Sequence, residues 1–174
     1  MARVYIGIGS NIDKHIHIPR VIKELRAKFG NVIISPIYKT AAVGFSGEDF
    51  FNLVVGIDTE MNPVEVFEYL RELETAHDRR RTSGNQFIAR TLDLDQLLYD
   101  DKQIEYGKIS IPHDDIINYP FVLKPLADIA GDLVHPELQV SIKSLWENFD
   151  KQVGDMQKLS LADIDLPDVV NSAN

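Results

Sequence analysis

The sequence predicts an α+β fold in which helices pack on an antiparallel β-sheet. Segments rich in β-branched and aromatic residues alternate with segments whose apolar residues recur at helical spacing, and polar or glycine-containing stretches separate them. The first six predicted elements occur in the order strand, helix, strand, strand, helix, strand. This order is typical of a ferredoxin-like βαββαβ core, to which the rest of the chain would add further strands and C-terminal helices.

The first half of this core is predicted from four segments. The run RVYIGIGS is a strand-forming segment that ends in a turn signal, Gly9, Ser10 and Asn11. A helix follows, with apolar residues at helical spacing up to Phe29 and a stop signal at Gly30. The runs NVIISPIYKT and FFNLVVGIDTE then predict two strands, which we expect to pair antiparallel across the loop AAVGFSGED.

The second half begins at Asn62 and Pro63, which signal the start of a helix extending to about His77. The run IARTLDLDQLLY predicts the last strand of the core. The elements expected beyond it are short strands around Ile104 and in KISIPH, a helix from Phe121 towards Ala130, and another from Ile142 to Phe149.

Length and composition indicate a single globular domain followed by a tail. The chain has 174 residues, of which 44% are hydrophobic and 26% are charged. We expect the domain to span residues 1–150. The segment 151–174 has no clear periodicity, and its composition is compatible with partial disorder.

Charge and residue usage exclude several classes of protein. A net charge of −9 argues against general binding to nucleic acid or to anionic membranes. The chain has no run of 18 apolar residues, and its N-terminus lacks the long apolar region of a signal peptide, so cytoplasmic residence is the default expectation. Because no cysteine occurs, disulfides, thiolate metal sites and cysteine nucleophiles are excluded.

Two carboxylates lie two residues apart in the otherwise leucine-rich run RTLDLDQLLY. Residues i and i+2 of a strand share a face, so Asp93 and Asp95 should lie side by side while Leu92 and Leu94 face the core. Like charges at this distance raise a pKa or require a cation, and Mg²⁺ is commonly held by one or two carboxylates plus substrate phosphates. The alternative is an acidic strand face that contacts water and has no chemical role.

A basic island in this acidic chain precedes the two aspartates and brackets a polar loop. It consists of Arg79, Arg80, Arg81 and Arg90. Alone, such a cluster is typical of a solvated helix end. Beside a carboxylate pair it indicates phosphoryl transfer, because a metal ion neutralises part of a polyphosphate while guanidinium groups bind the remaining oxygens.

A bound nucleotide would have to be held without a P-loop, since the chain contains no GxxxxGK[ST] motif. Gly7 and Gly9 lack the third glycine of a dinucleotide-binding turn, and we interpret them as close-packing or turn residues.

Candidate contacts with a ligand occur elsewhere in the chain. His113 ends a short strand in SIPHDD, and Phe50, Asn52 and Phe121 could stack on a flat heterocycle and bind its edge, the alternative being that the phenylalanines are core residues.

Taken together, these segments resemble the 6-hydroxymethyl-7,8-dihydropterin pyrophosphokinase family of folate biosynthesis. The resemblance extends from about Val4 to about Pro136 and is carried by YIGIGSN, SPIYKT, FFN, RTLDLDQLLY, IPHDD and PFVLKPLADIA. It implies transfer of pyrophosphate from ATP to the hydroxymethyl oxygen of the pterin, with AMP as the second product. It also implies a monomer whose partners are the small-molecule substrates ATP and 6-hydroxymethyl-7,8-dihydropterin.

The resemblance further implies roles for individual residues. Asp93 and Asp95 would be the ligands of two Mg²⁺ ions and would form the catalytic set with Arg79 and Arg90. The implied ATP contacts are Arg79, Arg81, Arg90, Lys108, Ser110 and His113. The implied pterin contacts are Thr40, Ala42, Val43, Phe50, Asn52, Asp93 and Phe121.

The chain departs from the usual pattern of the family close to the second arginine. Phe87, Ile88 and Ala89 replace a common Trp-Gly-Pro segment, which would restrain the backbone of the loop more strongly. Tyr119 stands where many members carry an arginine. The alternative function is therefore that of a catalytically weakened relative that still binds pterin or nucleotide.

Overall fold

The computed structural model describes residues 1–41, 47–78 and 91–164 of the chain. The elements in these ranges are β1 (Ala2–Ser10), α1 (Lys14–Phe29), β2 (Val32–Ile34), β3 (Ile37–Thr40), β4 (Phe50–Thr59), α2 (Pro63–His77), β5 (Asp93–Tyr99), β6 (Ile104–Tyr106), β7 (Ile109–Ile111), α3 (Asp115–Asn118), α4 (Pro120–Ala130), α5 (Ile142–Glu147) and β8 (Met156–Leu159), followed by a 3₁₀ turn at Leu161–Ile164. No helix among them is long and apolar enough to cross a membrane.

The strands form the predicted antiparallel sheet. Six strands share it in the order β5-β1-β4-β3-β8, with β2 pairing β4 beside β3, and β6 and β7 form a separate hairpin. In this order the first strand, β1, lies between β4 and β5, as the first strand of a βαββαβ core does. The predicted ferredoxin-like α+β fold is confirmed.

The run NVIISPIYKT forms two short strands, β2 and β3, where one strand was predicted. The break falls at Ser35 and Pro36, because proline has no backbone N–H to donate to a ladder. Ser35 partly repairs the interruption, since its hydroxyl accepts a hydrogen bond of 2.9 Å from the backbone N–H of Val54 on β4. Both short strands therefore remain attached to β4.

Each face of the sheet has its own apolar core. On one face, alternate residues of β1 (Val4, Ile6 and Ile8) pack with α1 and α2. On the other face, Tyr5 packs with residues of β5 and of the helices α3, α4 and α5. Past Tyr5 the second face of β1 presents only Gly7 and Gly9, so the helices there cover part of the sheet and leave a cleft.

Helix α2 is fixed at its start by a capping box. The side chain of Asn62 accepts hydrogen bonds of 3.0 Å from the backbone N–H groups of Val64 and Glu65, and the Glu65 carboxylate accepts one of 2.7 Å from the backbone of Asn62. The predicted apolar stripe of this helix is buried at Val66, Leu70 and Leu73. The last turns of α2 consequently lie along β5.

Residues 156–159 of the C-terminal segment form β8, a strand that was not predicted. It pairs antiparallel with β3, with Ile37 opposite Leu159 and Thr40 opposite Met156. The segment MQKL has only half-buried or exposed side chains, so it lacks the alternation between buried and exposed residues by which a strand is recognised in sequence.

Candidate active site

The floor of the cleft is made by the register of three strands. Strand β1 lies between β4 and β5, and it pairs Gly9 with Asn52 on one side and with Asp93 on the other. Gly7 is paired with Asp95 in the same way. Because glycine has no side chain, the amide and the two carboxylates project over an open floor.

The two glycines differ in how closely their neighbours approach. A Cβ added at Gly9 would lie 3.0 Å from Oδ1 of Asn52, which is tighter than ordinary packing, whereas one at Gly7 would meet Leu97 at 3.5 Å. The interpretation of these residues as close-packing positions therefore holds most clearly for Gly9. Both glycines lie within a strand and neither is part of a turn.

The cleft has an empty volume of about 370 Å³ and is closed on one side by α4, which contributes Phe121 and Val122. Its polar lining consists of Asn52, Asp93, Asp95 and Asp115. A flat aromatic side chain, an amide and three carboxylates thus face one space. This arrangement combines surfaces suited to a heterocycle with ligands suited to a cation.

The electrostatics of the cleft are dominated by crowded negative charge. Burial, together with the nearby charge of Asp93, raises the pKa of Asp95 to about 6. Two hydrogen-bond donors lie near Asp95 without a close contact: Nη2 of the cationic Arg71 at 3.9 Å and Nε2 of His113 at 4.0 Å. They reduce the repulsion but do not remove it.

His113 is oriented by its neighbour Asp115, for which no role was predicted. Nδ1 of His113 accepts a hydrogen bond of 3.2 Å from the backbone N–H of Asp115, so the neutral ring carries its proton on Nε2, the nitrogen that faces Asp95. One potential ligand atom from each of Asp95, His113 and Asp115 lies within 4.8 Å of the other two. The signal in the sequence was the HDD triplet, in which only the histidine was considered.

Two residues of α2, Arg71 and Glu74, also reach the site and were not predicted. Glu74 accepts a hydrogen bond of 2.7 Å from the backbone N–H of Leu94, and Arg71 donates to the carbonyl of the same residue. Burial raises the pKa of Glu74 to about 7, against the opposing effect of that backbone hydrogen bond. The only sequence signal was a charged pair three residues apart beside an apolar stripe.

The other predicted site residues lie at the margins of the cleft or outside the described residues. Thr40 and Phe50 pair across β3 and β4, on the face that carries Asn52, but they do not line the cleft. In the β6–β7 hairpin Lys108 is exposed, and the hydroxyl of Ser110 donates to Glu105 at 2.5 Å. The predicted contacts outside the described residues are Ala42, Val43, Arg79, Arg81 and Arg90.

The fold and the cleft define a class of protein: a ferredoxin-like α+β domain without a P-loop motif, in which carboxylates, an amide and an aromatic side chain face one cleft. Within this class the chain belongs to the 7,8-dihydro-6-hydroxymethylpterin-pyrophosphokinase (HPPK) family, whose model matches residues 5–131. The resemblance seen in the sequence is confirmed. The predicted activity, ATP-dependent transfer of pyrophosphate to hydroxymethyldihydropterin in folate synthesis, is confirmed with it.

Curated relatives support the same assignment. The chain is 34% identical over 144 residues to the 2-amino-4-hydroxy-6-hydroxymethyldihydropteridine pyrophosphokinase of Haemophilus influenzae, covering 80% of this chain and 89% of the relative. It is 36% identical over 138 residues to the enzyme of the same name from Methylorubrum extorquens, covering 77% and 86%. Among solved structures, Plasmodium falciparum HPPK-DHPS with pteroate shares the fold, with a TM-score of 0.65 and 14% identity, over 85% of this chain and 42% of that one.

Replacing Asp95 with asparagine is expected to stabilise the ligand-free protein. The pKa of Asp95 is about 6 in the folded state, against about 3.9 in an unfolded chain. Because the folded-state value is the higher one, the native state loses stability as the pH rises through 6, and Asp95→Asn avoids this loss. We expect a gain on the order of 1–2 kcal/mol in the free energy of unfolding at pH 8, reduced from the full shift because the side chain is partly exposed.

Urea unfolding at pH 5 and pH 8, without metal or substrate, measures this gain. The advantage of Asp95→Asn over the unaltered chain should be larger at pH 8. Asp101→Asn is the control, since Asp101 is an exposed turn residue. An advantage that is equal at the two pH values, or that also appears with Asp101→Asn, would show that ionisation of Asp95 does not oppose folding.

Proposed function

We propose that this pyrophosphokinase depends on Mg²⁺ and that Asp93 and Asp95 hold two ions between the protein and the phosphates of ATP. The observation that carries the proposal is the register of β5, which places both carboxylates over Gly7 and Gly9 in one cleft with Asn52. Carboxylate oxygens are the ligands that Mg²⁺ prefers in proteins.

The residues present fit such a cation. Asp95 is half-buried beside a second carboxylate, and its raised pKa reflects the cost of ionising it there without a full counter-charge. A divalent cation removes that cost and favours the ionised form. Asp115 lies close enough to Asp95 to extend the ligand set. The Nε2–H group of His113 faces the same space as a hydrogen-bond donor. When bound, the metal supplies charge neutralisation at the phosphate oxygens.

The remaining chemistry consists of positioning by the chain itself. The hydroxymethyl oxygen of the pterin attacks the β-phosphorus of ATP and forms the new P–O bond. The bond from the β-phosphorus to the α,β-bridging oxygen breaks, AMP leaves with that oxygen, and the hydroxyl proton passes to water. No protein nucleophile is needed, so the protein aligns the two substrates. We assign phosphate binding to Arg79, Arg81 and Arg90 from the family resemblance, and His113 would contact the phosphates from the other side of the cleft.

We propose that the pterin lies against Phe121, with its polar edge bound by Asn52. Tyr119 supports this placement, because it stacks on Phe121 with ring centroids 5.1 Å apart and so restrains the orientation of that ring. Phe50 would cover the other side of the pterin, and Thr40 would lie beside it. Asp93, the backbone near Ala42 and Val43, and the nucleotide contacts of Lys108 and Ser110 complete the proposed site.

The proposal also covers the extent of the catalytic unit, its oligomeric state, its location and its partners. We infer a catalytic unit within residues 1–150, a monomer in the cytoplasm, and no partner other than the small-molecule substrates. The net charge of −9 supports the absence of nucleic-acid and membrane partners. The absence of cysteine is compatible with a reducing compartment.

Loss of either proposed metal ligand is expected to abolish most activity. AMP formation from ATP and 6-hydroxymethyl-7,8-dihydropterin should require Mg²⁺, and Asp93→Asn and Asp95→Asn should each lower kcat more than about 100-fold, because each removes a direct ligand. Asp101→Asn should behave like the unaltered enzyme. Activity that persists after chelation of Mg²⁺ contradicts the metal role, and pterin binding without pterin-dependent AMP formation indicates the weakened relative.

Adding a methyl group at Gly9 is expected to weaken pterin binding. The new Cβ would lie 3.0 Å from the Asn52 side chain, so the amide must move away from its proposed position at the pterin edge. A cost of about 1–3 kcal/mol in binding corresponds to a rise in the pterin dissociation constant of roughly 5-fold to 150-fold.

Pterin binding can be followed by fluorescence titration, with Gly7→Ala as the matched variant. Its Cβ makes only an ordinary contact with Leu97 at 3.5 Å, so it should weaken binding less. If Gly9→Ala binds pterin as well as the unaltered protein does, the assignment of Asn52 to the pterin edge is wrong.

A further inference from the structure

Strand β5 carries both aspartates of the cleft, and it lies at the edge of the sheet. It pairs with β1 on one side only. Leu94 stands between Asp93 and Asp95, and its backbone N–H and C=O bind two side chains of α2. Glu74 accepts the hydrogen bond from the N–H at 2.7 Å, and Arg71 donates to the carbonyl.

Arg71 and Glu74 also form an ion pair with each other. The second carboxylate oxygen of Glu74 lies 3.0 Å from Nη1 of Arg71, so each group makes one contact with Leu94 and one with its partner. Glu74 is largely buried, with 16% of its side chain exposed. The guanidinium of Arg71 lies over the ring of Phe67, 5.1 Å from its centroid. A planar fork held at several points in this way has little freedom to reorient.

We propose that Glu74, with Arg71 as its partner, is a positioning residue for the carboxylate pair. The inference rests on the proposed role of Asp93 and Asp95 as metal ligands. Helix α2 binds the backbone of Leu94, the residue between the two aspartates. A rotation of the peptide groups there would change the direction of the Cα–Cβ bonds of Asp93 and Asp95. Groups that do not touch the metal but orient its ligands commonly matter as well: their loss typically lowers metal affinity or activity by about 10–100-fold.

Arg71 has a second effect on the same pair, through charge. Its Nη2 atom lies 3.9 Å from Oδ1 of Asp95, in a cleft where negative charge is in excess. A fixed cation at this distance offsets part of the negative charge that is crowded into the cleft. Glu74 keeps the guanidinium at this position, so loss of Glu74 would disturb both the backbone and the charge.

Glu74→Ala is expected to lower Mg²⁺ affinity or kcat by about 10–100-fold while changing the KM for pterin much less. Asp93 is the one proposed pterin residue on β5, whereas Thr40, Phe50, Asn52 and Phe121 lie on β3, β4 and α4, which the substitution does not touch. Glu74→Gln retains an acceptor oxygen for the Leu94 N–H and should recover most of the loss. Glu72→Ala is the matched control, because Glu72 lies on the same helix and is exposed.

A second measurement does not depend on activity. In the metal-free protein, hydrogen exchange at the Leu94 amide should become faster in Glu74→Ala, because its acceptor is lost. Exchange should stay close to that of the unaltered chain in Glu74→Gln and Glu72→Ala. Mg²⁺ affinity itself can be measured by calorimetry in the presence of a non-hydrolysable ATP analogue.

The outcomes separate this proposal from the proposed function. If Asp95→Asn is inactive while Glu74→Ala keeps normal Mg²⁺ affinity and kcat, Glu74 is not a positioning residue and the metal role of Asp95 stands. If Asp95→Asn is fully active, the metal role itself is wrong. Should Glu74→Ala fail to fold, Arg71→Ala decides the matter: a loss of about tenfold or more supports the proposal, and unaltered values overturn it.

Discussion

The register of β1 between its two neighbours is the constraint on which the site depends. Side chains of a strand alternate between the two faces of a sheet, so a shift of one residue would exchange every buried position with every cleft position. In the observed register Gly9 lies beside both Asn52 and Asp93, and the apolar residues of β1 face α1 and α2. The burial of that apolar face therefore fixes where the polar groups of the cleft stand.

The same constraint explains why the site is open on one face only. The face of β1 that meets α1 and α2 carries the aliphatic residues Val4, Ile6 and Ile8, whereas the opposite face has glycine where the carboxylates project. Helix α4 covers the neighbouring part of this second face and brings Phe121 to the edge of the opening. The larger of the two apolar cores lies on the closed face. Part of the second face is thereby left available for polar groups whose burial costs stability.

The parts of the site that could be predicted from the sequence are those whose evidence lies in neighbouring residues of the chain. The pairing of Asp93 with Asp95 depends on strand periodicity alone, and its position beside the PF and IPH segments was carried by the family resemblance. Glu74 and Arg71 act through contacts with β5, which is distant from them in sequence, so no spacing within the chain revealed them. Asp115 is adjacent to the predicted His113 region, but its proximity to Asp95 depends on the fold. The division of β2 from β3 at Pro36 was visible in the sequence and was underestimated, whereas β8 depends on the exposed edge of β3, which no local pattern encodes.

The strand β8 also has a consequence for the behaviour of the protein in concentrated solution. An open sheet edge is a template for strand addition by another chain and hence for aggregation. On one side of this sheet β8 covers β3 and ends the sheet with the exposed side chains of Gln157 and Lys158. On the other side, the backbone of Leu94 is already bound by α2. As the edge strand on this side, the short and polar β8 is a poor template for strand addition, although it contributes little to the apolar core.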